Sequence, residues 1–325
     1  MLGTFRLFLA ILVALSHADV RVWGLNPGVV AVVGFYLISG YVMTGLMQRH
    51  YVGYARIPSF YIDRVLRLYP QYLAVGLLTL AWFFSAGTFT PFLQHPPSAA
   101  DLLNNLLVVP LNYFMYNGSD QFTLMPPTWS LGTEFQFYLI FPLILLWRAR
   151  IVTFVLSLAI FIAAATGMIN SEIFGYRLLP GILIFFLFGS ALYDAHHHSP
   201  ARALTVTLVA VAGGLLLAVL LAVKGHLPLP YNKETLFGLV VFVPMLYWLG
   251  KLRQHPLDNY IGDLSYGVFL NHFLIQWGVM GLPVGVPQLC GYIGLCILLS
   301  AATQYVSERP AMHLRRWLRS KSPKP

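Results

Sequence analysis

Residues Leu7 to Trp23 read LFLAILVALSHADVRVW. The run is apolar enough to enter a bilayer, yet Arg6 stands at its entrance and His17 lies inside it, groups that a helix serving only as a lipid anchor does without. Eleven residues at about 100° and about 1.5 Å each place Arg6 and His17 on one helix face, roughly 16 Å apart. One face then links a cationic membrane surface to a titratable group deeper in. The alternative is an ordinary positive flank and a histidine satisfied by a neighbouring helix. Arg6, the short apolar run and the small residues Ser16 and Ala18 also imitate a cleavable signal peptide. Retention is the expectation, because the topology below needs this helix as its first crossing.

The rest of the chain extends the membrane reading. Of 325 residues, 58% are apolar and 10% charged, far below the roughly 25% charged residues of a soluble globule. The formal charge of +9 does not point to nucleic acid, because no basic run is interleaved with aromatics on a soluble element. Cys290 and Cys296 fall on one predicted helix, roughly 9 Å apart, too far for a disulfide. No CxxC or HExxH spacing occurs, so no metal site is expected, and His196, His197 and His198 read as a solvated loop.

Apolar runs bounded by proline, glycine and charge predict an all-α, polytopic membrane helix bundle of about ten transmembrane helices. They fall near 7–23, 28–46, 69–86, 129–147, 151–168, 178–194, 203–223, 235–250, 261–280 and 287–306. All but four of the 20 basic residues (Arg21, Arg177, Lys224 and Lys233) then lie on one side of the membrane. The positive-inside rule puts that side, and with it both termini, in the cytoplasm. The spans came from apolar length and the orientation from charge, so their agreement is independent support. Asp101 to Leu111, DLLNNLLVVPL, is too short and polar to cross and reads as a re-entrant or interfacial piece on the outer side. The membrane part is expected over 1–310, followed by a basic cytoplasmic tail over 311–325.

Three stretches carry groups with chemical potential. Pro126 to Pro142, PPTWSLGTEFQFYLIFP, has Thr128 and Ser130 as candidate helix caps and Glu134 about one turn inside an aromatic span. Glu134 is either hydrated near the outer interface, or turned into the bundle to orient a histidine or guanidinium or to bind a polar substrate. Phe60 to Tyr72, FYIDRVLRLYPQY, sets Arg64 and Arg67 on one side of a helix end. Joined by Arg6, they suit phosphate groups through forked hydrogen bonds, or serve as plain positive flank, with Asp63 weakening the local field. Ile261 to His272, IGDLSYGVFLNH, ends on His272, read as a core histidine bonded across helices more readily than as a catalytic one.

Taken in order, FRLFLAILVALSH, FYLISGY (Phe35 to Tyr41), FYIDRVLRLYP, TWSLGTEFQFYLIFP, IGDLSYGVFLNH and YVSERP (Tyr305 to Pro310) resemble the acyltransferase 3 family of membrane O-acyltransferases, over about residues 4 to 310. The chain is similar to bacterial members that modify exopolysaccharide or O-antigen without a fused extracytoplasmic esterase-like domain. It departs from the family pattern at Val33, where an acidic residue is frequent, and at Asp63, where many members carry arginine beside Arg64.

The resemblance implies an enzyme of the inner or plasma membrane that transfers an acyl group, commonly acetyl, from cytoplasmic acyl-coenzyme A to a hydroxyl of a glycan or lipid-linked glycan. Acyl-coenzyme A is then a co-substrate, and no resident cofactor is implied. It assigns the donor phosphates to Arg6, Arg64 and Arg67, and catalysis to His17 as general base with Glu134 orienting or stabilising it. From the same motifs, Trp129, Ser130, Ser265, Tyr266 and His272 are candidates for acceptor contact or support. The competing reading is a transporter of a glycan precursor or acyl group without bond chemistry. Paired broken helices in inverted repeats, which would favour it, are not found in the sequence.

Overall fold

The computed structural model describes residues 1–253, 255–283 and 285–320. Twelve α-helices account for most of them: α1 Leu2–His17, α2 Pro27–His50, α3 Ile57–Ala86, α4 Ala99–Leu107, α5 Phe114–Asn117, α6 Thr128–Leu146, α7 Arg150–Ala165, α8 Leu179–His198, α9 Pro200–Val223, α10 Asn232–Leu249, α11 Pro256–Ile275 and α12 Val286–Ser320. No strand forms among the described residues, where β pairing is limited to isolated bridges such as Val22 with Leu25.

Each of the ten stretches expected to span overlaps one of these helices. Six of them, α2, α3, α6, α8, α9 and α12, are long and apolar enough to cross a membrane by length and composition, while α1 and α7 are apolar but shorter. Packing divides them by role. Helix α2 is buried along nearly its whole length, whereas α9 turns Leu208, Val209, Leu216 and Val219 outward. An apolar face exposed on this scale is what a bundle needs when its surroundings are hydrocarbon.

The tightest crossings are made where glycine removes the side chain. A Cβ on Gly3 would lie 1.7 Å from the Asp258 carbonyl oxygen, so α1 and α11 touch backbone to backbone. Gly40 and Gly189 do the same for α2 and α8: their Cβ atoms would meet Phe186 O at 1.8 Å and Leu37 O at 1.9 Å. Small residues permitting close helix approach are the usual device of membrane bundles, where apolar burial alone does not distinguish helix from lipid. Asp258 also holds the start of α1, its carboxylate accepting from Gly3 N at 3.0 Å and from Thr4 N and Oγ1 at 2.8 Å. Those N–H groups have no partner within their own helix.

Several local expectations are corrected. The first helix is Leu2–His17 rather than 7–23, so His17 is its last residue and not a mid-helix one. The Ala18 and Val20 N–H groups close the end on Ala14 and Leu15 carbonyls, and Asp19 (φ 62°) turns the chain out. Helix α3 starts at Ile57, twelve residues before the expected 69, which puts Arg64 and Arg67 inside a helix. Thr128 and Ser130 do not cap α6; their hydroxyls donate back to Met125 O and Pro127 O. His196, His197 and His198 form the last turn of α8 instead of a loop. Two expectations are not among these corrections: the segment from Asp101, read as re-entrant or interfacial, begins as a short helix, α4, fixed by a capping box between Ser98 and Asp101; and the division at 310 falls within α12, which runs to Ser320, with 321–325 outside the described residues.

Candidate active site

Among the described residues, α1 contributes to two cavities of the bundle. The larger, of about 530 Å³, is walled by the first turns of α1, α2 from Val32 to His50, the Arg64–Leu68 part of α3, Ser130 to Tyr138 of α6, α11 from Asp258 to Phe269 and Arg315 of α12. The start of α1 and the far part of α12 therefore sit at one end of the bundle. Five guanidiniums line this cavity (Arg6, Arg49, Arg64, Arg67 and Arg315) against three carboxylates (Glu134, Asp258 and Asp263).

Most of that charge is fixed by neighbours. Arg64 pairs with Asp63, which is fully buried and also lies 3.4 Å from Arg315 Nε. Arg67 pairs with Asp263 at 2.6 Å. The carboxylate of Glu134 accepts from Ser39 Oγ at 2.6 Å and from the Tyr138 hydroxyl, and the Tyr138 ring faces the Arg64 guanidinium at 5.9 Å. Among the described residues, Arg6 and Arg49 have no carboxylate within ion-pair distance; Arg49 donates only to Tyr193 Oη at 3.1 Å. The cavity thus keeps positive charge that is not cancelled internally. It is wide enough for part of a flexible, multiply phosphorylated ligand, since small-molecule sites start at about 300 Å³.

The smaller cavity, of about 100 Å³, lies toward the other end of α1. Ser16, His17, Asn26, Trp129, Arg177 and Tyr231 are among its walls. Arg177 pairs with Glu172 at 2.6 Å, and its guanidinium faces the rings of Trp129 at 4.8 Å, Phe114 at 4.9 Å and Tyr231 at 5.9 Å. Val32, Ser130 and Phe269 line both cavities, so these three side chains form the partition between them.

The expected site residues fall into this frame with two corrections. Arg6, Arg64 and Arg67 do converge on one cavity, and the charged face of α1 lines polar space at both ends. Glu134 faces the interior, but its partners are Ser39 and Tyr138, and it does not bond to His17. The partner of His17 is His272: Nδ1 of the first stands 2.9 Å from Nε2 of the second, with the rings nearly parallel at 10°. His272 is completely buried, as a core histidine bonded across helices is expected to be.

Ser265 and Tyr266 line the larger cavity with their hydroxyls donated to the carbonyls of Gly262 and Leu68, while Trp129 and Ser130 reach the smaller one. Val33, the first departure from the family pattern, is buried against Gly238 of α10, in apolar packing that has no use for an acid. No group of three or more metal-ligating side chains occurs among the described residues.

Sequence reasoning missed Asp263, Arg49, Arg177 and Asn26. Asp263 had a signal, since a carboxylate within a predicted span requires a partner. Arg177 had none, because Phe114, Trp129 and Tyr231 come from three separate segments.

The bundle thus carries a cationic cavity at one end and a histidine-bearing cavity behind it. Comparison with known proteins makes the class definite: residues 2–304 match the acyltransferase domain, and the chain belongs to the acyltransferase 3 family. An uncharacterized protein of Aquifex aeolicus is 33% identical over 186 residues, covering 56% of this chain and 83% of its own. A Staphylococcus aureus (strain COL) protein named "Putative O-acetyltransferase" is 25% identical over 289 residues, 77% of this chain and 46% of its own. The O-acetyltransferase OatA of Staphylococcus aureus (strain NCTC 8325 / PS 47) is 30% identical over 150 residues, 44% of this chain and 24% of its own. The chain spans less than half the length of these staphylococcal relatives. No solved structure matches it.

Proposed function

We propose that this membrane O-acyltransferase takes an acyl group, most simply acetyl, from cytoplasmic acyl-coenzyme A and delivers it to a hydroxyl of a glycan or lipid-linked glycan. Ten crossings with both termini in the cytoplasm belong to this reading, which puts the guanidinium cavity at the inner face and the smaller cavity toward the outer face. Arg6, Arg64 and Arg67 hold the donor phosphates. The thioester then extends along α1 toward His17, roughly 16 Å from Arg6 at about 1.5 Å per residue.

The chemistry asked of His17 is ordinary general-base work. His17 takes the proton of the acceptor hydroxyl as its oxygen attacks the thioester carbonyl; the carbon–sulfur bond breaks, and the proton passes to the departing thiolate. Trp129, Tyr231 and Arg177 offer the acceptor flat rings and a donor group beside that imidazole. Glu134, held by Ser39 and Tyr138, balances charge in the donor cavity rather than at the base. The observation that carries the reading is that one helix brings Arg6 into the cationic cavity and His17 into the cavity behind it, with a partition of three side chains between.

The test uses the protein in lipid nanodiscs with acyl-labelled acetyl-coenzyme A and a mixture of cell-surface glycan acceptors. Label should move to glycan hydroxyls as coenzyme A is released, and His17→Ala should abolish both. In proteoliposomes, passage of an acceptor across the bilayer with the thioester intact, and unaffected by His17→Ala, would replace the enzyme by a transporter.

A further inference from the structure

His17 is the last residue of its helix, and within α1 its ring bonds to the backbone of Val13, one turn back. Its side-chain partner comes from the neighbouring helix, and that partner's own bonding states which nitrogen of His17 faces it with hydrogen. The ring of His272 is fully enclosed, and its Nδ1 lies 3.1 Å from the carbonyl oxygen of Val268, one turn back on α11. A carbonyl oxygen only accepts, so Nδ1 of His272 carries the hydrogen. A neutral imidazole has one N–H, so Nε2 of His272 presents a lone pair. That lone pair faces Nδ1 of His17 at 2.9 Å. Two lone pairs at this distance repel, whereas one N–H pointing at one lone pair is a good hydrogen bond. Nδ1 of His17 therefore donates, and its own lone pair is left on Nε2.

We propose that His272 is a positioning residue for catalysis: through the chain Val268 carbonyl, His272, His17, it holds the base in the one tautomer whose Nε2 can accept a proton. The inference rests on the reading of His17 as the base. The orientation of the second ring matters as much as its presence, because the nitrogen protonated in an imidazole is set by the bond the other nitrogen makes. The arrangement is that of a nucleophile-activating base oriented by a third group, with a neutral imidazole where a carboxylate is more usual.

Further contacts keep this pair in register. Gln276 Nε2 donates to the His17 carbonyl at 3.2 Å, Tyr292 Oη donates to the His272 carbonyl at 3.2 Å, and the Phe273 ring lies 4.8 Å from that of His17. When His17 accepts a proton at Nε2, the Nδ1–H already aimed at His272 becomes a charge-assisted bond, so the imidazolium is stabilised without moving.

The experiment combines a spectrum with two variants. In wild-type protein labelled with 15N-histidine in nanodiscs, the His17 signals, identified by their loss in His17→Gln, should show Nδ1 protonated and Nε2 bare at neutral pH. A protonated Nε2 overturns the proposal, and this readout needs no turnover, so it stands even if the acyl-transfer assay fails. His272→Gln places an amide oxygen near the position of Nε2 and should retain kcat within a few-fold. His272→Ala, which removes the acceptor, should lower kcat by roughly 10²-fold or more with little change in KM for the donor. Equal losses in the two variants, or wild-type kcat in His272→Ala, also overturn it. If His272→Ala does not accumulate, the spectrum and His272→Gln decide.

Discussion

Replacing Gly40 by alanine adds one methyl group to the middle of α2, and its consequence can be worked out from the crossing with α8. The new Cβ would lie 1.8 Å from Phe186 O and 2.6 Å from Phe186 C, both backbone atoms of a helix that cannot rotate aside. Real Cβ contacts essentially never fall under 3.0 Å, so the two helices must part by at least 3.0 − 1.8 = 1.2 Å. A gap of that size forfeits about half of the dispersion energy of each contact it opens, and forced overpacking costs about 1–3 kcal/mol or more. Alanine's better helix propensity returns only about 1 kcal/mol. The net loss expected is up to about 2 kcal/mol, which at ~2.1 cal/mol/K per residue over this chain lowers Tm by up to about 3 °C.

Activity should fall further than stability, because Ser39, next to Gly40, supplies the hydrogen bond to Glu134 in the larger cavity. The control is Gly213→Ala on α9, where nothing lies within 4 Å of the added methyl. The assay is thermal unfolding of both variants in matched detergent, followed by acyl transfer. A Gly40→Ala protein as stable as Gly213→Ala would refute the backbone contact between α2 and α8, and with it the placement of Ser39.

The two cavities should separate in kinetics. Arg6→Ala removes a guanidinium that has no described ion pair, so it costs one charge-assisted phosphate contact, about 1.5–3 kcal/mol, seen as a rise of roughly 10- to 100-fold in KM for acyl-coenzyme A; an unchanged KM would take the phosphates away from Arg6. Trp129→Ala strips the smaller cavity of the ring that faces Arg177 at 4.8 Å. It should raise KM for the acceptor about tenfold, from about 1–2 kcal/mol of lost ring contact, and leave the donor KM alone. A donor effect as large as the acceptor effect would contradict the partition.

Much of this fold was legible because charge and apolar length are strong, local signals. Arg6, Arg64 and Arg67 stood out as guanidiniums in or beside apolar runs, and one physical constraint, that such groups turn inward, brought them to a common cavity. Helix ends were less legible. Val22 and Trp23 are apolar and so extended the first span on paper, yet they belong to a hairpin after the turn at Asp19. Conversely, Asp63, Arg64 and Arg67 were counted as a helix end because charges usually mark one, whereas in α3 they are interior residues neutralised by Asp263 and Arg315. The pairings of Glu134 with Ser39 and of His17 with His272 join residues 95 and 255 positions apart, and no spacing rule reaches that far.

In the proposed reaction, the partition between the cavities treats the two ends of the donor differently. Val32 and Phe269 offer only hydrocarbon, and the third member, Ser130, has its hydroxyl committed to Pro127 O at 3.0 Å. Such a wall gives no hydrogen bond to a phosphate, whose transfer into it would expose an uncompensated charge. A small acyl thioester is neutral and crosses it with far less loss. In the proposed reaction the guanidiniums on one side retain the charged portion of the donor, and this apolar wall is what its neutral reactive end has to pass to reach His17. On this argument Ser130→Asp should block transfer by charging the wall, while Ser130→Ala, which removes only a bond internal to the first turn of α6, should preserve it.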